Sequence, residues 1–140
     1  AGATNSATGI ASGGFQNTYG GGYDAFLVKF DAATGSRLWA TYYGGTENDF
    51  GRSVTTDASG NVYLAGETKS VSGIASGGFQ NTYGGTLGDN DAFLVKFDAA
   101  TGNRLWATYY GGNIGTGTLY LGNEECYSVA TDAAGNVYLA

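Results

Sequence analysis

The sequence contains no histidine, no proline and no methionine, and its 140 residues include a single cysteine, Cys126. Without histidine, Ser–His and Cys–His nucleophilic pairs are excluded, as are imidazole metal sites. A lone cysteine cannot form an intrachain disulfide. Cys126 reads as an inert small residue in a loop, with an interchain disulfide or a reactive thiol as the alternatives. Charged residues are scarce, at 13%, and acidic ones outnumber basic ones by 12 to 6, for a net charge of −6. The basic residues Lys29, Arg37, Arg52, Lys69, Lys96 and Arg104 are scattered. This balance argues against a nucleic-acid partner or an anionic membrane surface, both of which need clustered Lys and Arg. No apolar run reaches the roughly 18 residues of a membrane-spanning helix. No segment keeps a helical apolar period over about 11 residues. No charged-then-apolar leader is present, so any export signal is expected outside this chain.

What is abundant is glycine, at 26, with 11 tyrosines. Strand-length runs rich in Tyr, Val, Thr and Phe, punctuated by Gly and Asp, predict an all-β fold with many tight turns.

Internal repetition organises the chain. The stretch "GIASGGFQNTYGG" at Gly9–Gly21 recurs unchanged at Gly73–Gly85. "DAFLVKFDAATGSRLWATYYGG" at Asp24–Gly45 recurs at Asp91–Gly112 with one change, Ser36 to Asn103. "SVTTDASGNVYLA" at Ser53–Ala65 recurs at Ser128–Ala140 with two changes, and Ala65–Ser70 aligns with Ala1–Ser6. The chain therefore divides into a first unit of about 1–65 and a second of about 66–140. The copies differ by insertions in "TLGDND" and "NIGTGTLYLGNEEC", which mark surface loops.

Each unit holds four predicted strands in two hairpins. Asp31, Asp57, Asp98 and Asp132 are placed to bond backbone N–H groups in the turns, and Gly35, Gly60, Gly102 and Gly135 to supply positive φ. Phe26, Val28 and Phe30 line one face of their strand, while Ala25 and Leu27 lie on the other. A sheet that is apolar on both faces must be covered on both. Radial stacking of four-stranded antiparallel blades meets that condition, so the expected architecture is a β-propeller.

"DAFLVKFDAATGSRLWATYYGG" followed by "SVTTDASGNVYLAGET" resembles the SBBP-type β-propeller repeat of exported or surface proteins from bacteria and archaea. The resemblance runs over nearly the whole chain twice. It implies propeller blades, an extracellular or cell-surface setting and no catalytic residues.

Propellers close with about 4–8 blades, whereas this chain holds two blade equivalents. Taking Gly51–Asp57 as an inner strand, the sequence opens near the end of a second strand and finishes on the first half of a blade. The expected completion is by copies of the chain itself, three giving six blades or four giving eight. Residues 128–140 would then pair with the 24–43 region of another chain, closing Val129, Val137, Tyr138 and Leu139 onto Phe26, Val28 and Phe30.

The chemistry on offer is sparse. Repeated carboxylates read as turn and strand-end residues rather than acid–base catalysts, and no cofactor is expected. The oxygen-rich loop clusters Glu47, Asn48 and Asp49, then Asp89, Asn90 and Asp91, then Asn123, Glu124 and Glu125, read first as solvated turns. Of these, Asp89, Asn90 and Asp91 are the candidate for Ca²⁺, whose ligands are oxygens. The motif "GGNIGTG" lacks the lysine and helix of a phosphate loop. Trp39 and Trp106 read as blade packing rather than a sugar platform. The repeated loops read first as packing over the blade edge; Phe15, Gln16, Asn17 and Tyr19, with Phe79, Gln80, Asn81 and Tyr83, are the alternative, a candidate glycan or peptide site. A self-assembling, non-catalytic scaffold is thus the first expectation. A multivalent lectin-like or peptide-binding propeller is the second, and an enzyme with a central-channel site the third.

Overall fold

The computed structural model describes residues 1–85, 88–112 and 122–140. Among these residues the chain is all strand, turn and loop, with no helix. Strands run in the order β1 (Gly2–Thr4), β2 (Asp24–Phe30), β3 (Arg37–Tyr43), β4 (Asp49–Thr56), β5 (Val62–Thr68), β6 (Asp91–Phe97), β7 (Arg104–Tyr110), β8 (Val129–Thr131) and β9 (Val137–Leu139). They form three antiparallel sheets, ordered β1-β2-β3, β4-β5-β6-β7 and β8-β9.

The sheets repeat one another in register. β5 pairs with β6 through Gly66–Phe93, Glu67–Ala92 and Thr68–Asp91; β1 pairs with β2 through the corresponding Gly2–Phe26, Ala3–Ala25 and Thr4–Asp24. β1 therefore stands where the second half of β5 stands. The β2-β3 and β6-β7 ladders both slip at the same place, between Lys29 and Phe30 and between Lys96 and Phe97. Their turns close alike. Asp31 Oδ1 accepts the Ala33 and Thr34 N–H groups at 3.1 and 2.8 Å, and Gly35 adopts φ 69°. Asp98 and Gly102 repeat this arrangement.

The glycine-rich segment before each hairpin is more than a connection. Ser12 and Ala40 exchange both backbone hydrogen bonds at 2.9 Å, and Tyr42 N–H donates to the Gln16 carbonyl at 3.0 Å. Ser76, Ala107, Tyr109 and Gln80 repeat the pattern in the second unit. The segment thus lies along the outer strand and seals an edge that would otherwise template aggregation. Glycine is required for this approach, since a Cβ on Gly14 would stand 2.7 Å from the Ala40 carbonyl oxygen.

Two apolar cores lie between the sheets rather than within one. The first joins Ala25, Leu27, Trp39 and Tyr43 of the β1-β2-β3 sheet to Leu64, Phe93, Val95, Phe97, Ala107 and Tyr109 of the four-stranded sheet, with Ile74. The second joins the opposite face of that sheet, through Tyr63, Ala65, Ala92, Leu94 and Trp106, to Val129, Val137 and Leu139 beside Cys126. The four-stranded sheet is covered on both faces, as its doubly apolar strands require.

One expectation needs correction, at three residues. Asp49, assigned to a solvated loop, heads β4 and is fully buried; Asp89 and Asp91 are buried too. The short side chains of Asp49 and Asp91 turn inward to accept N–H and O–H groups from the segments that cross the strand ends. Cys126 lies in the loop before β8, as expected, with its side chain buried in the second core. Thr86 and Leu87 of one insertion lie outside the described residues, as do 113–121 of the other, including most of "GGNIGTG".

Candidate functional site: the joint between sheets

The polar loops fold inward onto their own strands. Gln16 Nε2–H donates to the Thr18 carbonyl at 3.0 Å and to Asp24 Oδ2 at 3.2 Å, while Oε1 accepts the Gly44 N–H at 3.1 Å. Gln80 likewise reaches the Thr82 carbonyl and the Gly111 N–H. Asn17 and Asn81 each donate back to the carbonyl three residues earlier, at 2.9 Å. The Tyr19 hydroxyl donates to the Gly22 carbonyl and the Tyr83 hydroxyl to the Asp89 carbonyl, while their rings meet Tyr42 and Tyr109 edge-on. These polar groups hold each loop to its sheet. Replacing Gln16 with alanine leaves the buried Gly44 N–H without that acceptor. The expected cost is about 1–2 kcal/mol, read by urea unfolding, with faster proteolysis inside the Gly9–Gly21 loop.

Phe15 and Phe79 differ from the rest of the loop. Phe15 N–H donates to the Gly102 carbonyl at 3.1 Å, and the Arg104 guanidinium lies 4.4 Å above its ring. Both partners belong to the neighbouring sheet, so Phe15 is part of the joint. Trp39 crosses the same gap, its Nε1–H donating to the Ala99 carbonyl at 3.1 Å beside the Lys29 Nζ donation at 2.8 Å. The Tyr43 hydroxyl donates to the Ile74 carbonyl at 2.5 Å, and its ring sits 5.3 Å from Phe93 and 5.7 Å from Phe97. Burial drives the Tyr43 hydroxyl pKa far above its ordinary value, against the lowering effect of Arg104.

The candidate acidic cluster is likewise committed. Asp91 Oδ2 and Oδ1 accept the Gly84 and Gly85 N–H groups at 2.7 and 3.2 Å. Asn90 N–H donates to Asn123 Oδ1 at 2.8 Å, as Tyr23 N–H does to Asn48 at 3.1 Å. Among the described residues no group of three His, Cys, Asp or Glu side chains is gathered about a common metal position. Asp49 accepts from Thr68 Oγ1, from Ser70 Oγ at 2.9 Å and from the Gly45 N–H at 2.8 Å. Burial outweighs these donors and pushes its carboxyl up to about 6.

A carboxyl raised on folding contributes stability that is complete below its unfolded pKa of about 3.9 and lost as pH rises through the folded value. Asp132 works the other way. Held down to about 2 by Asn136 and Tyr138, it stabilises above the unfolded value and loses that effect as pH falls. Asp49→Asn removes only the first effect. Its melting temperature, measured against wild type, is expected to rise relative to it between about pH 4 and pH 6.

At the two ends of the stack the same joint stands half built. Ile74, Phe93, Val95 and Phe97 are completely buried, whereas their repeat counterparts Ile10, Phe26, Val28 and Phe30 line an open recess, with Phe30 60% exposed. At the other end Tyr110 is 61% exposed where Tyr43 is at 0%, and Phe79 is 87% exposed where Phe15 is at 37%. The sequence placed Phe26, Val28 and Phe30 on one face and proposed Val129, Val137, Tyr138 and Leu139 opposite them. Within the chain, Val129, Val137 and Leu139 pack by one face on the four-stranded sheet, and Tyr138 is exposed. The sequence read Trp106 as blade packing and Phe79 as a ligand candidate; the exposure of repeat equivalents adds Phe79 and Tyr110 to the uncovered face.

Antiparallel sheets stacked face to face, each repeating one strand register, define an all-β repeat module consistent with a β-propeller-like fold. A family model described as SBBP: Beta-propeller repeat matches residues 38–72, a stretch reaching from β3 to just beyond β5. The resemblance read from the sequence extends over both units; the family match covers this stretch. No curated protein matches the chain.

Proposed function

We propose that this chain is a non-catalytic β-propeller module, a scaffold or interaction surface, whose ring is completed by further copies of itself. One observation carries the reading: the two uncovered apolar faces are the two halves of a joint that the chain already contains. The face bearing Ile10, Phe26, Val28 and Phe30 has the composition of the one that Trp39 and Tyr43 cover internally. The opposite face, bearing Trp106 and Tyr110, repeats the covering side.

Strand edges support the same reading. Among the described residues β1 covers only Asp24–Phe26 of β2, so Leu27–Phe30 has no strand on that side. Among the same residues β9 carries pairing on one side only. By the β5-β6 register, Val137, Tyr138 and Leu139 of one copy would face Phe30, Lys29 and Val28 of the next. The repeated contact is head-to-tail, and such contacts form rings when the rotation closes. Three copies would give about six blades and four about eight, within the range of known propellers.

Native mass spectrometry with light scattering tests the reading. A discrete trimer or tetramer at micromolar concentration is the expected outcome. A stable monomer, or an open polymer with no preferred mass, would overturn it.

A further inference from the structure

We propose that the contact between copies is keyed by an aromatic clamp: Trp106, Phe79 and Tyr110 of one copy grip the Asp31–Arg37 turn and the Ile10 backbone of the next. This inference rests on the head-to-tail reading and adds which side chains recognise the partner.

The internal joint supplies the template. Trp39 lies flat over the turn at Gly102; a Cβ there would stand 2.8 Å from Trp39 Cδ2 and 2.9 Å from Cε3. Its indole N–H holds the Ala99 carbonyl of that turn. Phe15 closes the turn from the side, under Arg104 and bonded to the Gly102 carbonyl. Tyr43 completes the grip through the Ile74 carbonyl, which also accepts from Arg104 Nη1 at 2.9 Å. An indole, a phenyl ring and a phenol thus recognise one left-handed glycine turn and one carbonyl.

Among the described residues, each of these three rings has a repeat equivalent that does not meet the corresponding partner. Trp106 and Phe79 border an open cleft together with Gly77, Gly78 and Thr108, and Tyr110 borders another with Leu94 and Val137–Leu139. At the opposite end Gly35 has the same left-handed conformation as Gly102, φ 69° in both, yet no atom lies within 4 Å of its Cβ position. Arg37 Nη1 donates to the Ile10 carbonyl at 3.1 Å, as Arg104 does to Ile74. The clamp and its target therefore occur on opposite ends of one molecule. The occupant that fits is a second copy of this chain: it carries the turn, the bare glycine and the arginine in the required order.

The conformation at Gly35 makes a selective test possible. Asparagine tolerates positive φ, and its side chain would enter open space in the lone chain but strike Trp106 in the assembly. Gly35→Asn is expected to keep the β circular-dichroism spectrum while raising the concentration for half-assembly by about thirtyfold or more, the loss of one hot-spot contact. Phe79→Ser provides a second variant, since this side chain is already 87% exposed and the fold does not depend on it; the same shift is expected. In wild type, the Trp106 emission, taken as the difference from Trp106→Phe, should move to shorter wavelength on assembly.

If wild type forms rings and both variants assemble as readily as wild type, the clamp is wrong while the head-to-tail reading stands. If wild type stays monomeric, the reading itself fails and takes the clamp with it. A Trp106 emission unchanged on assembly would also overturn the clamp.

Discussion

Trp39→Ala is expected to remove about 3–5 kcal/mol of unfolding free energy, the range for deleting a large buried aromatic side chain. Trp39 is 3% exposed and is the largest side chain bridging the first joint. Three losses coincide. The indole leaves a void against Phe97, whose ring lies 6.5 Å away, and against Gly102, whose missing side chain leaves no means of filling it. The Ala99 carbonyl loses its indole donor. The β1-β2-β3 sheet, which has little core of its own, loses its main hold on the four-stranded sheet. Urea unfolding of the variant should show a lower midpoint.

Trp106 supplies the comparison. It is only partly buried and packs on Tyr63 of its own sheet at 6.1 Å. In unassembled chains Trp106→Ala should cost less than Trp39→Ala; in an assembled ring the two costs should converge. Equal effects in a demonstrated monomer would show that bridging, rather than local packing, is not what makes Trp39 important.

Much of the strand content was legible because it rests on local chemistry. The Asp–Gly turns follow from a carboxylate that caps backbone N–H groups and a residue free to take positive φ; Gly35, Gly60, Gly102 and Gly135 all do. The four-strand unit followed from two hairpins joined in sequence. The inward course of Asp49 was not legible. Its donors, Gly45, Thr68 and Ser70, come from either side in sequence and meet only once β3, β4 and β5 are placed. The Gly9–Gly21 loop was open to two readings, edge packing first and ligand binding second. Gln, Asn and Tyr in a glycine-rich segment suit a ligand, but the same donors serve equally to staple the segment along an outer strand. Composition does not say which; the Gln16–Gly44 and Ser12–Ala40 bonds do.

The role of Phe15 was half visible. Its repetition as Phe79 was evident, but a repeated residue has the same identity whether it serves a ligand or the next blade. The difference in exposure between the two copies separates these cases, and exposure is a property of neighbours rather than of letters. Trp39 and Trp106 make the same point from the other side. Identical surroundings in sequence place one under a turn and leave the other at an open cleft, because only one has a following sheet complete enough to meet it.

Gly66→Ala is expected to destabilise by about 3 kcal/mol, the upper end of what overpacking costs, although helix and strand propensities alone favour alanine over glycine by about 0.5–1 kcal/mol. Sterics decide the sign. Gly66 sits in the middle of β5, paired with Gly51 on one side and Phe93 on the other. A Cβ there would overlap the Phe50 carbonyl oxygen and stand 2.9 Å from its carbon and 3.0 Å from Phe93 Cε1. The obstructing atom is backbone, and it lies beside the slip in the β4-β5 ladder between Gly51 and Ser53, where the inner strand bends. Relief would require β4 to move away from β5 and carry the buried Asp49 with it. A local loss of pairing should follow, visible as faster amide exchange at Phe50 and Gly66. Gly112→Ala is the control: among the described residues the nearest atom to its added Cβ is Glu124 Oε1 at 4.0 Å, so the change should stay within about 0.5 kcal/mol. A Gly66→Ala variant as stable as that control would mean that the Phe50 peptide can rotate away at little cost, and that the close approach of β4 to β5 does not depend on glycine.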